Sequence, residues 1–248
     1  MKSAFKSSIA AMLGLIVIWQ LIVSLTDVPR FILPSPYLVG TAFVDNFDLI
    51  VEHTLVTLYE ILLGLTIGIT LGIVTALQFE ISPVAKFFLK PVLIFSQAIP
   101  VFALAPVLTL WLGYGMISKV TMAVLIIYFP VTSALHDGLT RTPSGFSDLA
   151  HVMNSKPIRL LFFIRLPAAM PNLLSGVRLA AVYAPIGAVI GEWVGSSQGL
   201  GYLMLLANGR VKTDLMFAAL FTLGFLSMSL YGLITLVIKL GFRRFESQ

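Results

Sequence analysis

The chain has 248 residues, of which 58% are hydrophobic and 11% are charged, whereas an ordinary soluble domain has about 25% charged residues. This composition excludes a soluble globular protein and predicts a membrane protein. The lack of cysteine in the sequence excludes disulfides and thiolate metal sites. The net charge of +5 does not indicate nucleic-acid binding, because in a membrane protein basic residues mark the cytoplasmic side.

Six apolar segments predict transmembrane helices, because about 20 apolar residues span a hydrocarbon layer roughly 30 Å thick. Within lipid they must be helical, since an open strand would leave backbone groups unpaired. The first segment follows Lys2 and Lys6 and precedes no small-residue cleavage site, so we expect an uncleaved helix. No repeat or linker interrupts the sequence, which predicts a single membrane domain over residues 1–248. The predicted spans are residues 9–25, 55–77, 92–113, 117–135, 173–195 and 215–238.

The distribution of Lys and Arg predicts the orientation of this domain. With six spans, both termini lie on one side, together with the loops 78–91 and 136–172. That side carries eleven basic residues and the other side four, so the positive-inside rule places both termini in the cytoplasm. The eleven are Lys2, Lys6, Lys86, Lys90, Arg141, Lys156, Arg159, Arg165, Lys239, Arg243 and Arg244, and the four are Arg30, Lys119, Arg210 and Lys212.

The segment 26–54 is then external. Its three prolines cannot continue a helix and favour an extended chain at its start. Residues 37–51 keep an apolar stripe that is interrupted by Asp45 and Asp48. This pattern predicts a helix that lies at the membrane interface.

Span two carries a stripe of small residues that predicts close helix packing. Gly64, Gly68 and Gly72 are spaced four apart and share one helix face, where another backbone can approach closely. The sequence leaves open whether that backbone belongs to the same subunit or to a second copy. Glu60 lies one turn before the stripe, and an intramembrane carboxylate usually faces protein or water. It is a candidate pathway residue, with interfacial hydrogen bonding as the alternative.

Two other spans carry candidate pathway residues. Pro100 and Pro106 each remove a hydrogen bond from the third span, and a kinked helix leaves carbonyl groups that can line a cavity; a bent packing helix is the alternative. Glu192 lies near the external end of the fifth span, where a structural and a pathway role are equally open. Gly199 and Gly201 follow without the lysine of a phosphate-binding loop. We therefore expect them to turn the chain back toward the membrane.

The sequence contains no catalytic or metal-binding constellation. His136 and Asp137 are adjacent, but no nucleophile motif such as G-x-S-x-G accompanies them. We therefore expect a solvated pair in a loop. His53 and His151 are scattered at or beyond helix ends. These features predict neither an enzyme nor a metal site.

The second cytoplasmic loop is predicted to contain two short helices joined by a turn. Residues 148–153 form the first helix, with Ser147 as its N-cap. Asn154 tolerates the left-handed conformation of a sharp turn. Pro157 suits the first turn of the second helix, which we expect to run through Ile164.

The second half of this loop is too apolar for a solvated loop. An apolar patch with a basic rim indicates a protein partner, and a helix lying on anionic lipid is the alternative. The patch comprises Leu160, Leu161, Phe162 and Phe163, and the rim comprises Lys156, Arg159 and Arg165.

The same loop resembles the EAA loop of bacterial ABC importer permeases, the surface on which the ATPase subunit docks in that family. The family pattern reads E-A-A, then Gly at the seventh position, then I-x-L-P ending at the twentieth. This chain matches the spacing but has Asp for Glu, Leu for the first Ala and Asn for Gly, and Asn preserves the turn. The matching residues are Asp148, Leu149, Ala150, Asn154, Ile164, Leu166 and Pro167.

Other segments resemble the nitrate/sulfonate/taurine-type branch of these permeases, over roughly residues 30–240. Within that branch the chain is most similar to permeases of the hydroxymethylpyrimidine type, which take up a pyrimidine precursor of thiamine. Sulfonate, taurine and nitrate are the alternative substrates. The segments are Phe31–Pro36, Pro106–Gly113, Gly176–Ala180 and Gly199–Gly201 for the branch, and Gly191–Gly195 and Tyr202–Asn208 for the pyrimidine type.

This resemblance implies an all-α type I ABC importer permease of the bacterial inner membrane, with six transmembrane helices and a cytoplasmic coupling helix. It also implies a homodimer, cytoplasmic ATPase subunits and an extracytoplasmic solute-binding protein. ATP binds to the ATPase in that family, so we expect no cofactor on this chain. The alternatives from other classes are a membrane-embedded enzyme and an ATP-independent secondary transporter, which usually has repeated halves.

The orientation can be tested with single cysteines, since the sequence has none of its own. Cysteines placed at Ser7, Ser144 and Ser247 should resist a membrane-impermeant thiol reagent in intact cells, because the basic bias places them inside. A cysteine at Ser197 should react. Reaction at Ser144 from outside would overturn the predicted orientation.

Overall fold

The computed structural model describes residues 2–26 and 28–242, without the side chains of residues 2–9, 144, 147 and 151. Within these residues the chain is all-helical, which confirms the predicted all-α class. The helices are α1 Lys2–Leu25, α2 Pro36–Asp45, α3 Phe47–Ile81, α4 Pro83–Ala98, α5 Val101–Leu112, α6 Met116–Thr140, α7 Ser144–Val152, α8 Pro157–Leu160, a π-helical segment Leu161–Arg165, α9 Leu166–Gly195, α10 Leu200–Gly209 and α11 Thr213–Gly241.

Four continuous helical stretches of the described chain are long and apolar enough to cross a membrane. They are α3, α6, α11 and the stretch Pro157–Gly195, in which α8, the π-helical segment and α9 follow one another without a break. The bent pair of α4 and α5 makes a fifth span if the two helices are counted as one. In α1, Ala10–Leu25 is a shorter apolar helix.

The third predicted span, residues 92–113, is wrong as a single helix. α4 and α5 meet at an angle of 106°, and the break falls at Ile99 and Pro100. Proline disfavours helical geometry in the residue before it, and Ile99 is accordingly extended, with a ψ of 120°. Pro106, by contrast, is accommodated inside α5.

The predicted loop 78–91 is almost entirely helical, because α3 continues to Ile81 and α4 begins at Pro83. Ser82 separates the two helices and caps α4: its hydroxyl accepts a hydrogen bond from the N–H of Ala85 at 3.2 Å. Pro83 occupies the first turn of α4, where the missing N–H leaves no acceptor unpaired. The chain therefore passes from α3 to α4 over one residue.

The interfacial helix predicted for residues 37–51 is divided into two at Asn46, where α2 ends and α3 begins. The Asn46 side chain donates a hydrogen bond to the carbonyl of Ala42 at 2.8 Å and so closes the last turn of α2. α3 therefore begins at Phe47 and is longer than the predicted span 55–77.

α6 also extends beyond its predicted end. It continues through Pro130 to Thr140, so His136 and Asp137 lie in a helix and the prediction of a solvated loop pair is wrong. His136 is buried. The fifth predicted span begins earlier than predicted as well, because the helical stretch that contains it starts at Pro157.

α3, α6 and α9 form a three-helix core in which small residues allow close approach. A Cβ added at Gly64 would lie 2.6 Å from Cβ of Ala123, and one at Gly68 would lie 2.7 Å from Cγ2 of Ile127. The glycine stripe of α3 thus contacts α6 of the same chain. Lipid tails are as apolar as side chains, so helices in a membrane associate through such close contacts. Three other close approaches in this core are Gly72 to Val131, Gly176 to Pro130 and Gly187 to Ala123.

A second apolar cluster joins other helices to this core. α2, the start of α3, α10 and α11 share this cluster, which includes Ile50, Leu200, Leu203 and Leu215. α10 is a short apolar helix that the sequence analysis did not predict, because its ten residues are too few to span a membrane.

Replacing Gly68 with Leu should weaken the contact between α3 and α6. The new side chain would overlap Ile127, and overpacking of a close-packed core costs about 1–3 kcal/mol. The measurement is the yield and thermal stability of the purified protein. Gly232→Leu is the control, because a Cβ at Gly232 meets no atom within 4 Å. Equal stability of the two variants would show that the Gly68 contact is dispensable.

Candidate functional site

A buried polar cluster joins all three core helices. Glu60 of α3 is fully buried and forms an ion pair with Lys119 of α6. Glu192 of α9 is 1% exposed and accepts a hydrogen bond from the Thr57 hydroxyl at 2.6 Å. The Lys119 backbone also packs against Gly191, the residue before Glu192. Buried charges are stable only when paired, and here the Lys119 ammonium group offsets the Glu60 carboxylate. We call these residues, together with His53, the distal cluster.

The distal cluster holds residues 196–201, which comprise the connection from α9 to α10 and the start of α10; we call them the 196–201 loop. Gly199 has a φ of 110°, in the left-handed region that favours glycine, and a side chain there would collide with the Glu192 carboxylate. Lys119 reaches the same loop and donates to the Ser196 hydroxyl at 3.0 Å. Three successive backbone N–H groups also bind to the cluster. Gly199 donates to Nδ1 of His53 at 2.9 Å, and Leu200 donates to the Thr57 hydroxyl at 2.8 Å. Gly201 donates to the Glu192 carboxylate.

These contacts give Glu60 and Glu192 a structural role. Neither carboxylate is among the residues lining the adjacent cavity of about 620 Å³, whose walls include Tyr59, Tyr114 and Lys119. A pathway role for either carboxylate stays a prediction. The sequence analysis counted Lys119 only among the basic residues of the external side and missed its role, although a carboxylate within a span requires a nearby cation. A search for a cation that pairs with Glu60 could therefore have identified Lys119.

The two candidate prolines lie on the bent pair of α4 and α5, and both are exposed. Pro100 lies at the break. Gln97 and Val101, on either side of the break, line a cleft of about 650 Å³ against α6 and α9. Neither proline is itself a lining residue, so Pro100 shapes the cleft only by bending the chain.

A second ionic cluster lies at the other end of α3, about 30 Å from Glu60 along the helix. Its centre is Glu80, which accepts a hydrogen bond from Nη1 of Arg165 at 3.0 Å. Nδ1 of His136 lies 3.4 Å from the same carboxylate, and Nζ of Lys86 lies 3.9 Å from it. Nζ of Lys90 lies 3.4 Å from Nε2 of His136. This Glu80 cluster connects α3, α4 and α6 to the π-helical segment before α9.

The predicted coupling loop folds as a helix, a turn and a second helix. Asn154 has a φ of 51°, the left-handed geometry that the sequence predicts for the turn. The N–H of Ser155 donates to the carbonyl of Ala150 at 2.9 Å and closes this turn. Ala150 is buried, whereas the neighbouring Leu149 is exposed.

Two details of this loop differ from the prediction. α7 begins at Ser144, so Ser147 lies inside the helix and is not its N-cap. The second helix begins at Pro157 as predicted but does not end at Ile164. It continues through the π-helical segment into α9, so that Ile164, Leu166 and Pro167 lie half-buried within one continuous helical stretch.

The loop exposes a group of large apolar side chains, which we call the docking patch. Val152 is 86% exposed and Phe163 is 79% exposed, although both are apolar. Lys156 and Arg159 are exposed beside them, as the predicted basic rim requires. Of the four residues of the predicted apolar patch, Leu161 is buried and forms part of the core. The docking patch comprises Leu149, Val152, Met153, Ile158, Phe162 and Phe163.

The fold and these clusters define a multi-pass membrane protein built on a close-packed helical core. Residues 68–245 match the family described as the binding-protein-dependent transport system inner membrane component, and the chain belongs to this family. It is therefore a transport component and not an enzyme. The predicted class of ABC importer permease is confirmed, and the alternatives of a membrane-embedded enzyme and a secondary transporter are set aside.

Named relatives support the same class. A probable ABC transporter permease protein of Haemophilus influenzae is 54% identical over 88% of this chain and 89% of its own length. The formylaminopyrimidine transport permease protein of Halalkalibacterium halodurans is 35% identical over 87% of this chain and 86% of its own length. The riboflavin transport system permease protein of Chloroflexus aurantiacus is 37% identical over 91% of this chain and 85% of its own length.

A solved structure shares the fold. A chain of the MetNI methionine ABC transporter, in an inward-facing conformation, superimposes with a TM-score of 0.68 over 79% of this chain and 97% of that chain. At 16% sequence identity this likeness concerns the fold alone.

The ion pair of the distal cluster gives a test of its structural role. Lys119→Met would leave the Glu60 carboxylate buried and unpaired, and breaking a buried pair in this way costs about 3–5 kcal/mol. Thermal unfolding of the purified protein measures the loss. Adding Glu60→Gln should recover part of it, because the unpaired charge is then gone. Lys239→Met changes an exposed lysine of α11 and serves as the control. A Lys119→Met protein as stable as this control would contradict the assigned role.

Proposed function

We propose that this chain is driven by a separate ATPase that docks on the docking patch, in the segment Asp148–Pro167, which we call the docking segment. The observation that carries the proposal is the exposure of several large apolar side chains on a segment that is otherwise ordered and hydrogen-bonded. Exposed apolar surface of this kind marks a protein interface. The match of this segment to the EAA spacing supports an ATPase as the partner. ATP then binds to the partner, and this chain needs no cofactor.

The Glu80 cluster provides the mechanical connection in this proposal. Arg165 belongs to the helical stretch that begins within the docking segment, and it is held by Glu80 at the end of α3. Lys86 of α4 lies near the same carboxylate. A displacement of the docked loop would therefore be passed to α3 and to the bent pair of α4 and α5. Charge-assisted hydrogen bonds are roughly twice as strong as neutral ones, which suits the contact between Glu80 and Arg165 to this role.

The other end of the molecule is proposed to face outward, toward a solute-binding protein. The basic bias of the sequence supports cytoplasmic termini, which places the 196–201 loop outside. The solute would pass between two copies of this chain in the bacterial inner membrane. Polar residues such as Gln97 are exposed in the cleft between the bent pair of α4 and α5 and the helices α6 and α9. They support a second copy on this side, because such residues are costly against lipid.

The proposed solute is hydroxymethylpyrimidine or a related pyrimidine precursor of thiamine. Two relatives at 35% and 37% identity are named for formylaminopyrimidine and for riboflavin, both planar nitrogen heterocycles. A relative in Bacillus subtilis named for aliphatic sulfonates is 30% identical over 83% of this chain and 75% of its own length. A sulfonate or taurine importer is therefore the second candidate.

The turn at Asn154 tests the docking proposal. Asn154→Val should abolish co-purification of the ATPase and solute-stimulated hydrolysis in proteoliposomes, because a β-branched residue disfavours a φ of 51°. Asn154→Gly should keep both activities, since glycine accepts this conformation freely. Hydroxymethylpyrimidine and taurine, each with the binding protein present, are the two solutes compared.

Asn208→Val serves as the matched control, because Asn208 is exposed and lies in the regular helix α10. It should behave as the unaltered protein in both measurements. Full docking and hydrolysis in Asn154→Val would contradict the assignment of this loop to the ATPase. Uptake of taurine but not of hydroxymethylpyrimidine would instead favour the second candidate and leave the docking proposal intact.

A further inference from the structure

The cleft between the bent pair of α4 and α5 and the helices α6 and α9 has a composition that the structural roles above do not explain. Its volume is about 650 Å³, within the range of sites for small molecules. Three lining residues of α6 are spaced four apart, Phe129, Ser133 and Asp137, and therefore share one helix face. Tyr183 of α9 and Gln97 of α4 complete the set of polar and aromatic groups.

The exposed polar groups of this face argue against a surface that meets lipid alone. Asp137 and Gln97 are both exposed in the single chain. Gln97, Ser133 and Tyr183 place polar groups along the cleft, and polar groups in contact with hydrocarbon are costly. Asp137 lies three residues before the end of α6, beside His136 of the Glu80 cluster, and so marks the end of the cleft that faces the cytoplasm in the proposed orientation. The packing of the core does not require Asp137, because the neighbouring His136 turns inward to Glu80 while Asp137 points away. A polar face of this kind on membrane helices marks a water-filled route or a binding site.

The charge of the cleft favours some solutes over others. Asp137 is the one ionisable carboxylate among the described lining residues, and none of them is Lys or Arg. A sulfonate or nitrate anion would meet a like charge without a compensating cation. A neutral or protonated heterocycle would find an acceptor in Asp137, and the Gln97 amide and Tyr183 hydroxyl can both donate and accept. The ring faces of Phe129 and Tyr183 suit a planar ligand.

We propose that this cleft binds the solute during its passage, and that it selects a planar, hydrogen-bonding nitrogen heterocycle that is uncharged or cationic. Asp137 binds the amino or ring N–H groups of the solute, and Phe129 and Tyr183 contact its ring. This inference rests on the proposed function, from which it takes the passage of a small solute through this chain. It adds the location of the site and the residues that exclude anions.

The experiment uses the permease assembled with its ATPase, in which Ser133→Cys is the sole cysteine of the permease chain. A water-soluble maleimide should label this cysteine, because the cleft is open to water. Hydroxymethylpyrimidine should slow the labelling, and taurine at the same concentration should not. Ser197→Cys, which is exposed and lies outside the cleft, is the control whose labelling neither solute should change.

Two substitutions in this background measure the contributions of the named residues. Asp137→Asn should raise the half-protecting concentration of hydroxymethylpyrimidine about tenfold or more, which is the value of a hydrogen bond to a charged group. Tyr183→Leu should also raise it, through loss of the ring contact. Asp45→Asn and Tyr231→Leu alter an exposed carboxylate and an exposed aromatic ring outside the cleft and should leave it unchanged.

The outcomes of this experiment test the binding site separately from the proposed function. Hydroxymethylpyrimidine should protect the cysteine of Ser133→Cys, and Asp137→Asn should weaken this protection. That result supports the site. Uptake of the pyrimidine in proteoliposomes without any protection at Ser133→Cys overturns the site and leaves the proposed function standing. Protection and uptake with taurine alone overturn the selectivity for heterocycles. An unlabelled Ser133→Cys shows that the cleft is closed to water and overturns the site as well.

Discussion

The close packing of α3, α6 and α9 is the constraint on which the rest of this structure depends. Helices in lipid gain nothing from the hydrophobic effect when they meet. Their association must therefore come from close contacts along a long interface, which we call the seam. Glycines allow those contacts at Gly64, Gly68 and Gly187, where a Cβ would fall within 2.7 Å of α6. The seam fixes the spacing of the three helices, and this spacing places the polar side chains of each helix within reach of the others.

The two ionic clusters follow from this packing. At one end, Glu60, Lys119 and Glu192 come from three different helices and meet only because the helices are close. They hold the 196–201 loop, whose backbone donors would otherwise be unpaired. At the other end, Glu80 binds Arg165 and so attaches the helical stretch that carries the docking segment. The proposed function uses this arrangement, because a core that is rigid between its two ends can pass a movement from one to the other.

The sequence predicted those features that depend on local chemistry. The turn at Asn154 and the helix start at Pro157 follow from the conformational preferences of single residues, and both are found. The sequence did not predict the 106° break at Pro100, because a proline can either bend a span or break it, and neighbouring helices decide which. The partnership of Lys119 with Glu60 was missed for a similar reason. It joins residues far apart in the chain, and only the packed core brings them together.

The most direct test of the central claim is the number of solute molecules imported per ATP hydrolysed, when the contact between Glu80 and Arg165 is removed. Glu80→Gln, Arg165→Gln and the double variant should each bind the ATPase and import less solute per ATP. The double variant should be little worse than the worse single variant, because residues in contact are not additive. An unchanged ratio in both single variants would contradict the account, since the docking segment would then act on the core by another route.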